Sequence, residues 1–215
     1  PVFYKLTWLG FSYPDEDLVE SLSKGMFQEG LKKVGYMMDF RPQTTCKEED
    51  NGYPRTERSK LLENLETEYV SLFISDLGGQ RVNPQWSYHL DNEIMGESVK
   101  KIANCYSSSG LDRSDDFEGE PDHISVILEY LFKLSRNPSR EDIEDQISFF
   151  DEFLEPVYEE FTGMVREETD LRFYDNLAYW LREGLSADRI IMKDLMKLNQ
   201  TATNQTGGEL KHDEF

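Results

Sequence analysis

The sequence is poor in the residue types that usually carry catalysis or metal binding. It has two cysteines, Cys46 and Cys105, and three histidines, His89, His123 and His212. None of them has the spacing of zinc ligands or of a CxxC pair, and no phosphate loop, serine-hydrolase elbow or dinucleotide fingerprint is present. The sequence therefore predicts no catalytic residue, no metal site and no cofactor.

Long apolar runs are also missing. No stretch approaches the roughly 20 apolar residues that span a bilayer. The opening segment, Pro1-Val2-Phe3-Tyr4, lacks the basic region and cleavage site of a signal peptide. Two isolated thiols are typical of a reducing compartment. We therefore expect a cytoplasmic protein without stable membrane insertion.

Basic residues are scarce relative to acidic ones. Lys plus Arg number 23 against 43 Asp plus Glu, which gives a net charge of -20. Such a surface repels nucleic-acid phosphates and anionic lipid headgroups, whereas it attracts a basic peptide. Residues 137–175 are the most acidic, with thirteen carboxylates and three arginines. This stretch, which includes Glu144, Asp151, Glu155, Glu159 and Glu160, is either a solvated face or a groove for a basic peptide.

Helical periodicity is the main pattern in the sequence. Apolar residues recur at three- and four-residue steps in eight segments, 18–31, 61–73, 94–106, 124–132, 143–154, 157–165, 171–181 and 190–198. Gly184 is expected to end the seventh helix and Ser186 to cap the eighth. No sustained alternating pattern indicates a strand. The predicted fold is all-α, a bundle of about eight helices.

Two polar stretches, 44–56 and 110–120, interrupt this pattern and are predicted loops. We expect one helical domain over residues 1–200. Its two lobes, 1–110 and 121–200, would be joined by a hinge loop at 111–120. Residues 201–215 are expected to form a polar, flexible tail.

The densest polar group is Glu118-Gly119-Glu120-Pro121-Asp122-His123, just before a predicted helix. Proline and carboxylates are favoured at a helix start, so capping and bonding between lobes explain this group without any ligand. The adjacent Asp122 and His123 also have the chemistry to grip a ligand or to act as acid and base.

Several segments in order resemble one family. Tyr69-Val70-Ser71-Leu72-Phe73 resembles the Y-x-x-L-F motif of the TorD/DmsD/NarJ molybdoenzyme chaperones. Val82-Asn83-Pro84-Gln85-Trp86-Ser87-Tyr88 is similar to the family's segment with Pro84 and Ser87. Glu120-Pro121-Asp122-His123-Ile124 resembles its hinge motif, although the glutamate usually stands one residue further from the Asp-His pair. Either Glu118 or Glu120 therefore fills that role.

The resemblance implies an all-helical chaperone that is not an enzyme. Such a protein binds the twin-arginine signal peptide and the apoprotein of a molybdenum oxidoreductase catalytic subunit, assists cofactor insertion and prevents premature export. Glu118, Glu120, Pro121, Asp122 and His123 would then belong to the signal-peptide site. Tyr69, Leu72 and Phe73 share a helix face, which favours core packing over ligand contact.

Three alternatives remain at the level of the sequence. One is a cofactor-insertion chaperone of a membrane nitrate reductase, similar to NarJ. Another is an unrelated acidic helical adaptor that binds a basic protein segment. The third is an enzyme that uses Asp122 and His123. The client enzyme is open, and the hinge loop permits either a monomer or a domain-swapped dimer.

Overall fold

The computed structural model describes residues 1–40, 58–74, 80–111 and 120–206, with side chains described as far as residue 198. These residues form ten α-helices and a π-helical turn, Phe150–Leu154, and no named strand. The helices are α1 (Val2–Phe11), α2 (Glu16–Ser23), α3 (Met26–Met37), α4 (Arg58–Phe73), α5 (Trp86–Asp91), α6 (Glu97–Ser108), α7 (Ile124–Leu134), α8 (Arg140–Phe149), α9 (Tyr158–Glu168) and α10 (Arg172–Thr206). The all-α prediction is confirmed.

Two of the ten helices arise where the sequence predicted one segment. Residues 18–31 form the end of α2 and the start of α3, because Gly25 takes a left-handed conformation with φ of 71°. Glycine adopts this conformation without the clash that a Cβ would cause. Asp15 begins α2 by accepting the backbone N–H of Leu18 at 2.8 Å, as N-cap carboxylates do.

Helix α1 was not predicted from the sequence, yet it lies at the centre of the bundle. Its buried residues include Phe3, Tyr4 and Phe11, and the helix packs against α3, α7 and α10. Residues from both sides of the expected hinge loop therefore share one core.

The prediction that Gly184 ends a helix is wrong. Helix α10 continues through Gly184 and Ser186 to Thr206. A Cβ at Gly184 would lie 2.1 Å from Cε2 of Phe3, so glycine is needed there for the close approach of α1. Residues 201–206, expected in the flexible tail, continue α10, and residues 207–215 lie outside the described part of the chain.

Prolines mark the connections between α7, α8 and α9. Ser139, after Pro138, caps α8 in a reciprocal box in which its hydroxyl accepts the Asp142 N–H and the Asp142 side chain accepts the Ser139 N–H. The π-helical turn ends before Pro156, which has no N–H to continue a helix.

The start of α6 differs from the sequence prediction. Ile94 and Met95 were assigned to the apolar face of a helix, but they precede α6 and are exposed by 50% and 62%. Asp91 fixes this connection, since its Oδ2 accepts the Ser98 N–H at 2.9 Å and the Ser98 hydroxyl at 2.6 Å.

Candidate functional site

The structure joins the two motif segments around residues 82–88 and 120–124. The Trp86 N–H donates to the Asp122 carbonyl at 2.8 Å, and the Ile124 N–H donates to the Pro84 carbonyl at 2.9 Å. These bonds form an antiparallel bridge between Gln85 and His123. A single bridge of this kind holds the start of α5 beside the start of α7.

Asp122 is the buried carboxylate at this junction, with 1% of its surface exposed. Its Oδ2 accepts the backbone N–H of Ser87 at 3.0 Å, so it stabilises the first turn of α5. Its other oxygen, Oδ1, and the Ser87 hydroxyl are buried without a hydrogen-bond partner among the described residues. Unsatisfied buried polar atoms are uncommon and costly.

His123 is the N-cap of α7. Its Nδ1 accepts the Ser125 N–H at 3.2 Å and lies 2.7 Å from the Ser125 hydroxyl. Because Nδ1 accepts, the neutral ring carries its proton on Nε2. Burial lowers the pKa of His123 to about 4, although the nearby charge of Asp122 acts in the opposite direction. The imidazole is therefore neutral at pH 7.

Glu120 is the half-buried acidic group of the segment. Its Oε2 accepts a hydrogen bond from Nε2 of Gln85. Burial raises its pKa above the usual value, and the negative charge of Asp122 raises it further. Among the acidic candidates from the sequence, Glu120 is the described one that still reaches solvent. Glu118 lies outside the described residues.

Pro121 is held by a hydrogen bond from a third helix, α6. Its carbonyl oxygen accepts the Tyr106 hydroxyl at 2.7 Å, which ties α6 to the junction. The segment from Glu120 to His123 is thus held by α5, α6 and α7 together, and its backbone has little freedom to move.

The motif residues on α4 have a different environment. Tyr69, Leu72 and Phe73 are buried in the core, with 4% or less of each exposed. The Tyr69 ring packs against Phe73 and Tyr174, and burial raises its pKa to about 12. Pro84 and Ser87 are also buried. These motif positions support the fold and do not reach solvent.

One polar cluster was missed by the sequence analysis. Glu68, buried beside Tyr69, accepts the Thr169 hydroxyl at 2.9 Å and the Asp170 N–H at 2.8 Å. Arg81 lies 3.5 Å from its second oxygen and donates to the Glu168 carbonyl at 2.5 Å. The available signal was Glu68 itself, a carboxylate on the apolar side of a helix otherwise lined by leucines.

The carboxylates of the acidic stretch 137–175 lie outside the buried core, and several of them are paired with cations. Glu144 pairs with Arg140 at 2.9 Å. Asp151 pairs with Arg189 at 2.8 Å and Lys193 at 3.3 Å, and Glu155 lies 3.5 Å from Arg189. These contacts favour the interpretation as a solvated face over that of a peptide groove.

Residues 1–40, 58–74, 80–111 and 120–206 contain no group of three or more His, Cys, Asp or Glu side chains arranged to hold a metal ion. None of their helices is long and apolar enough to cross a membrane.

The sequence profile of the nitrate reductase delta subunit family matches residues 43–163, more than half of the 215-residue chain. The chain belongs to the nitrate reductase delta subunit family. The match includes both segments of the junction and the Tyr69–Phe73 motif, so the resemblance proposed from these motifs is confirmed.

Two relatives show how this family member compares with known proteins. The chaperone protein TorD of Shewanella loihica is 29% identical over 132 residues, which are 58% of this chain and 61% of TorD. The matched region thus spans less than two thirds of that relative. The crystal structure of a proposed redox enzyme maturation protein from Archaeoglobus fulgidus is similar with a TM-score of 0.55 and 26% identity. That match covers 86% of this chain and 93% of the other.

Proposed function

We propose that this protein is a maturation chaperone that binds the twin-arginine signal peptide and apoprotein of a molybdenum oxidoreductase catalytic subunit. In this role it assists cofactor insertion and prevents premature export from the cytoplasm. Membership of the family supports this role, as do the names of the two relatives. The proposal includes binding without catalysis, by a monomer or a domain-swapped dimer.

The observation that carries the proposal is the rigid junction that presents Glu120. Gln85 orients its carboxylate, and an arginine guanidinium binds a carboxylate with two parallel hydrogen bonds, which a lysine cannot do. Glu120 lies in a chain of net charge -20, which favours the approach of a basic segment. Asp122 is buried, so it acts through its bond to Ser87 and through its negative charge near Glu120, and His123 acts through the start of α7.

The test is a calorimetric titration with a twin-arginine signal peptide and a Lys-Lys variant, at two salt concentrations. We expect micromolar or tighter binding, with a preference for arginine of about tenfold, the equivalent of 1.4 kcal/mol. Glu120→Gln should weaken binding of the arginine peptide, and Glu63→Gln, on an exposed part of α4, should leave it unchanged. Absence of binding to several such peptides would contradict the proposal.

A second candidate has one specific observation in its favour. The matching family is described as the nitrate reductase delta subunit, which supports a cofactor-insertion chaperone of a membrane nitrate reductase. A protein of this type would bind its client enzyme but show no preference for twin-arginine peptides. The same titration, followed by co-purification with the client, separates the two candidates.

A further inference from the structure

The connection between α5 and α6 has an unusual backbone. Asn92 and Met95 have φ values of 56° and 63°, a left-handed region that is strained for a side chain such as methionine. The connection folds back so tightly that a Cβ at Gly96 would lie 2.2 Å from Oδ2 of Asp91. Asp91 in turn caps α6 through Ser98. The fold therefore maintains this conformation at some cost.

The effect of this conformation is to expose two large apolar side chains next to each other. Ile94 is 50% and Met95 62% exposed. They stand between Glu93 and Glu97, both exposed, and neither glutamate has an ion pair among the described residues. Between Asp91 and Lys100 there are three carboxylates and one cation. We call residues 92–97 the α5–α6 turn.

A second exposed apolar surface lies on α10, and it lacks an excess of unpaired carboxylates. On α10, Ile190, Ile191, Leu195 and Leu198 are exposed by 38% to 67%. The cations beside them are already paired, Arg189 and Lys193 with Asp151 and Lys197 with Asp194. The α5–α6 turn instead joins two exposed apolar side chains to Glu93 and Glu97, neither of which has an ion pair among the described residues. Its charge favours a partner that is both apolar and basic.

The turn follows the helix that begins at the proposed peptide site. Helix α5 starts at the junction with Asp122 and has six residues, which is about 9 Å at 1.5 Å per residue. Tyr88, on this helix, is 40% exposed. An extended peptide advances about 3.3 Å per residue, so about three of its residues span the length of α5.

We propose that the α5–α6 turn binds the apolar residues of the same peptide whose basic residues reach Glu120. This inference rests on the proposed function and deepens it. Ile94 and Met95 contact the apolar side chains, while Glu93 and Glu97 favour a segment that carries positive charge. The strained turn is thus a preformed contact surface, which lowers the entropy lost on binding.

The test uses the double variant Ile94→Ser/Met95→Asn, since asparagine tolerates the left-handed backbone at position 95. The matched control is Ile190→Ser/Leu198→Asn, because those side chains are 61% and 67% exposed. Each protein is titrated with a twin-arginine peptide and with the same peptide after its apolar residues are replaced by serine. Circular dichroism verifies that the variants keep the helical content of the wild type.

We expect the turn variant to bind the first peptide about tenfold more weakly, while its affinity for the serine-substituted peptide equals that of the wild type. The α10 control should match the wild type with both peptides. Equal losses with both peptides, an unchanged affinity, or a loss in the α10 control would overturn the inference but leave the proposed function in place. Failure of the wild type to bind the first peptide would overturn both.

Discussion

Two buried carboxylates, Glu68 and Asp122, have opposite surroundings. Glu68 has a hydrogen bond or ion pair at each oxygen, from Thr169, Asp170 and Arg81. Asp122 is more deeply buried and accepts a single hydrogen bond, from Ser87, while its Oδ1 has no partner among the described residues. Glu68 directly precedes one segment that resembles a family motif and Asp122 belongs to another, yet only Glu68 has a partner at each carboxylate oxygen.

We propose that this difference separates a structural role, that of Glu68, from a role in binding, that of Asp122. A buried charge that is paired at every atom holds elements together, and here Glu68 and Arg81 connect α4 to the start of α10. A buried carboxylate that lacks partners costs stability. Its presence at the junction, beside the half-exposed Glu120 and the neutral His123, supports the proposal that this segment binds a peptide.

The largest expected effect on stability is that of replacing Glu68. Glu68→Ala leaves Arg81 without its buried partner and removes two hydrogen bonds, so we expect a loss of about 2–3 kcal/mol in the free energy of unfolding. Urea denaturation measures it, with Glu63→Ala on the same helix as the control. A loss below about 0.5 kcal/mol, typical of surface substitutions, would show that the cluster is not structural.

The next effect concerns pH at the junction. The pKa of His123 is lowered to about 4 from 6.5, so between these values the unfolded chain binds a proton that the folded chain does not. The contribution of neutral, buried His123 to the free energy of unfolding is fully present above pH 6.5 and is lost as the pH falls towards 4. Allowing for partial exposure of the ring, we expect His123→Gln to abolish about 1–2 kcal/mol of the stability difference between pH 7 and pH 5.

The measurement compares urea denaturation of the wild type and His123→Gln at both pH values. The raised pKa of Glu120 makes the free energy of unfolding fall as the pH rises, which is the opposite of the effect of His123. Both proteins contain Glu120, so its contribution cancels when their pH profiles are compared. Parallel pH profiles for the two proteins would show that His123 stays accessible to protons and is not held neutral by burial.

A smaller effect is expected when Asp122 loses its charge but keeps its shape. In Asp122→Asn the amide oxygen still accepts the Ser87 N–H, so the free energy of unfolding should change by less than about 1 kcal/mol. Peptide affinity should fall, because the negative charge beside Glu120 is lost. Asp122→Ala serves as the comparison, since it removes the bond to Ser87 as well. Full affinity in both variants would exclude Asp122 from the site.

The smallest effect on stability is expected at Glu120. This side chain is half-buried, and Glu120→Gln keeps a bond to Gln85, so unfolding should change by about 0.5 kcal/mol or less. Binding of a twin-arginine peptide should weaken about fivefold or more, the cost of an exposed charge-assisted bond. A variant that loses stability but not affinity would reverse the roles assigned to Glu68 and Glu120.

Local signals account for much of the fold. The apolar steps predicted α4 and α7, and the Ser139 capping box and Pro156 set element boundaries through contacts a few residues apart. The predictions that were wrong depend on tertiary contacts. The residues around Gly184 do not show whether this glycine ends a helix or lets the helix pack closely against Phe3. The exposure of Ile94 and Met95 depends on a turn that Asp91 fixes through Ser98.

The candidate site was predictable as a segment but not as an arrangement. The sequence placed Glu120, Asp122 and His123 before a helix, which the structure bears out. It did not predict that Asp122 is buried and turned towards Ser87, because this depends on the bridge between residues 85 and 123. The pairing of Glu68 with Arg81 and Thr169 likewise joins residues up to 101 positions apart, beyond the reach of local patterns.

The most direct test of the proposed function is co-purification of the tagged protein with a molybdenum enzyme catalytic subunit, produced with and without its twin-arginine signal peptide. We predict that the full-length apoprotein is retained and that removal of the signal peptide, or the Glu120→Gln substitution, reduces its recovery severalfold. Equal recovery with and without the signal peptide, or no recovery of any such subunit, would contradict the claim that this chain recognises the signal peptide of its client.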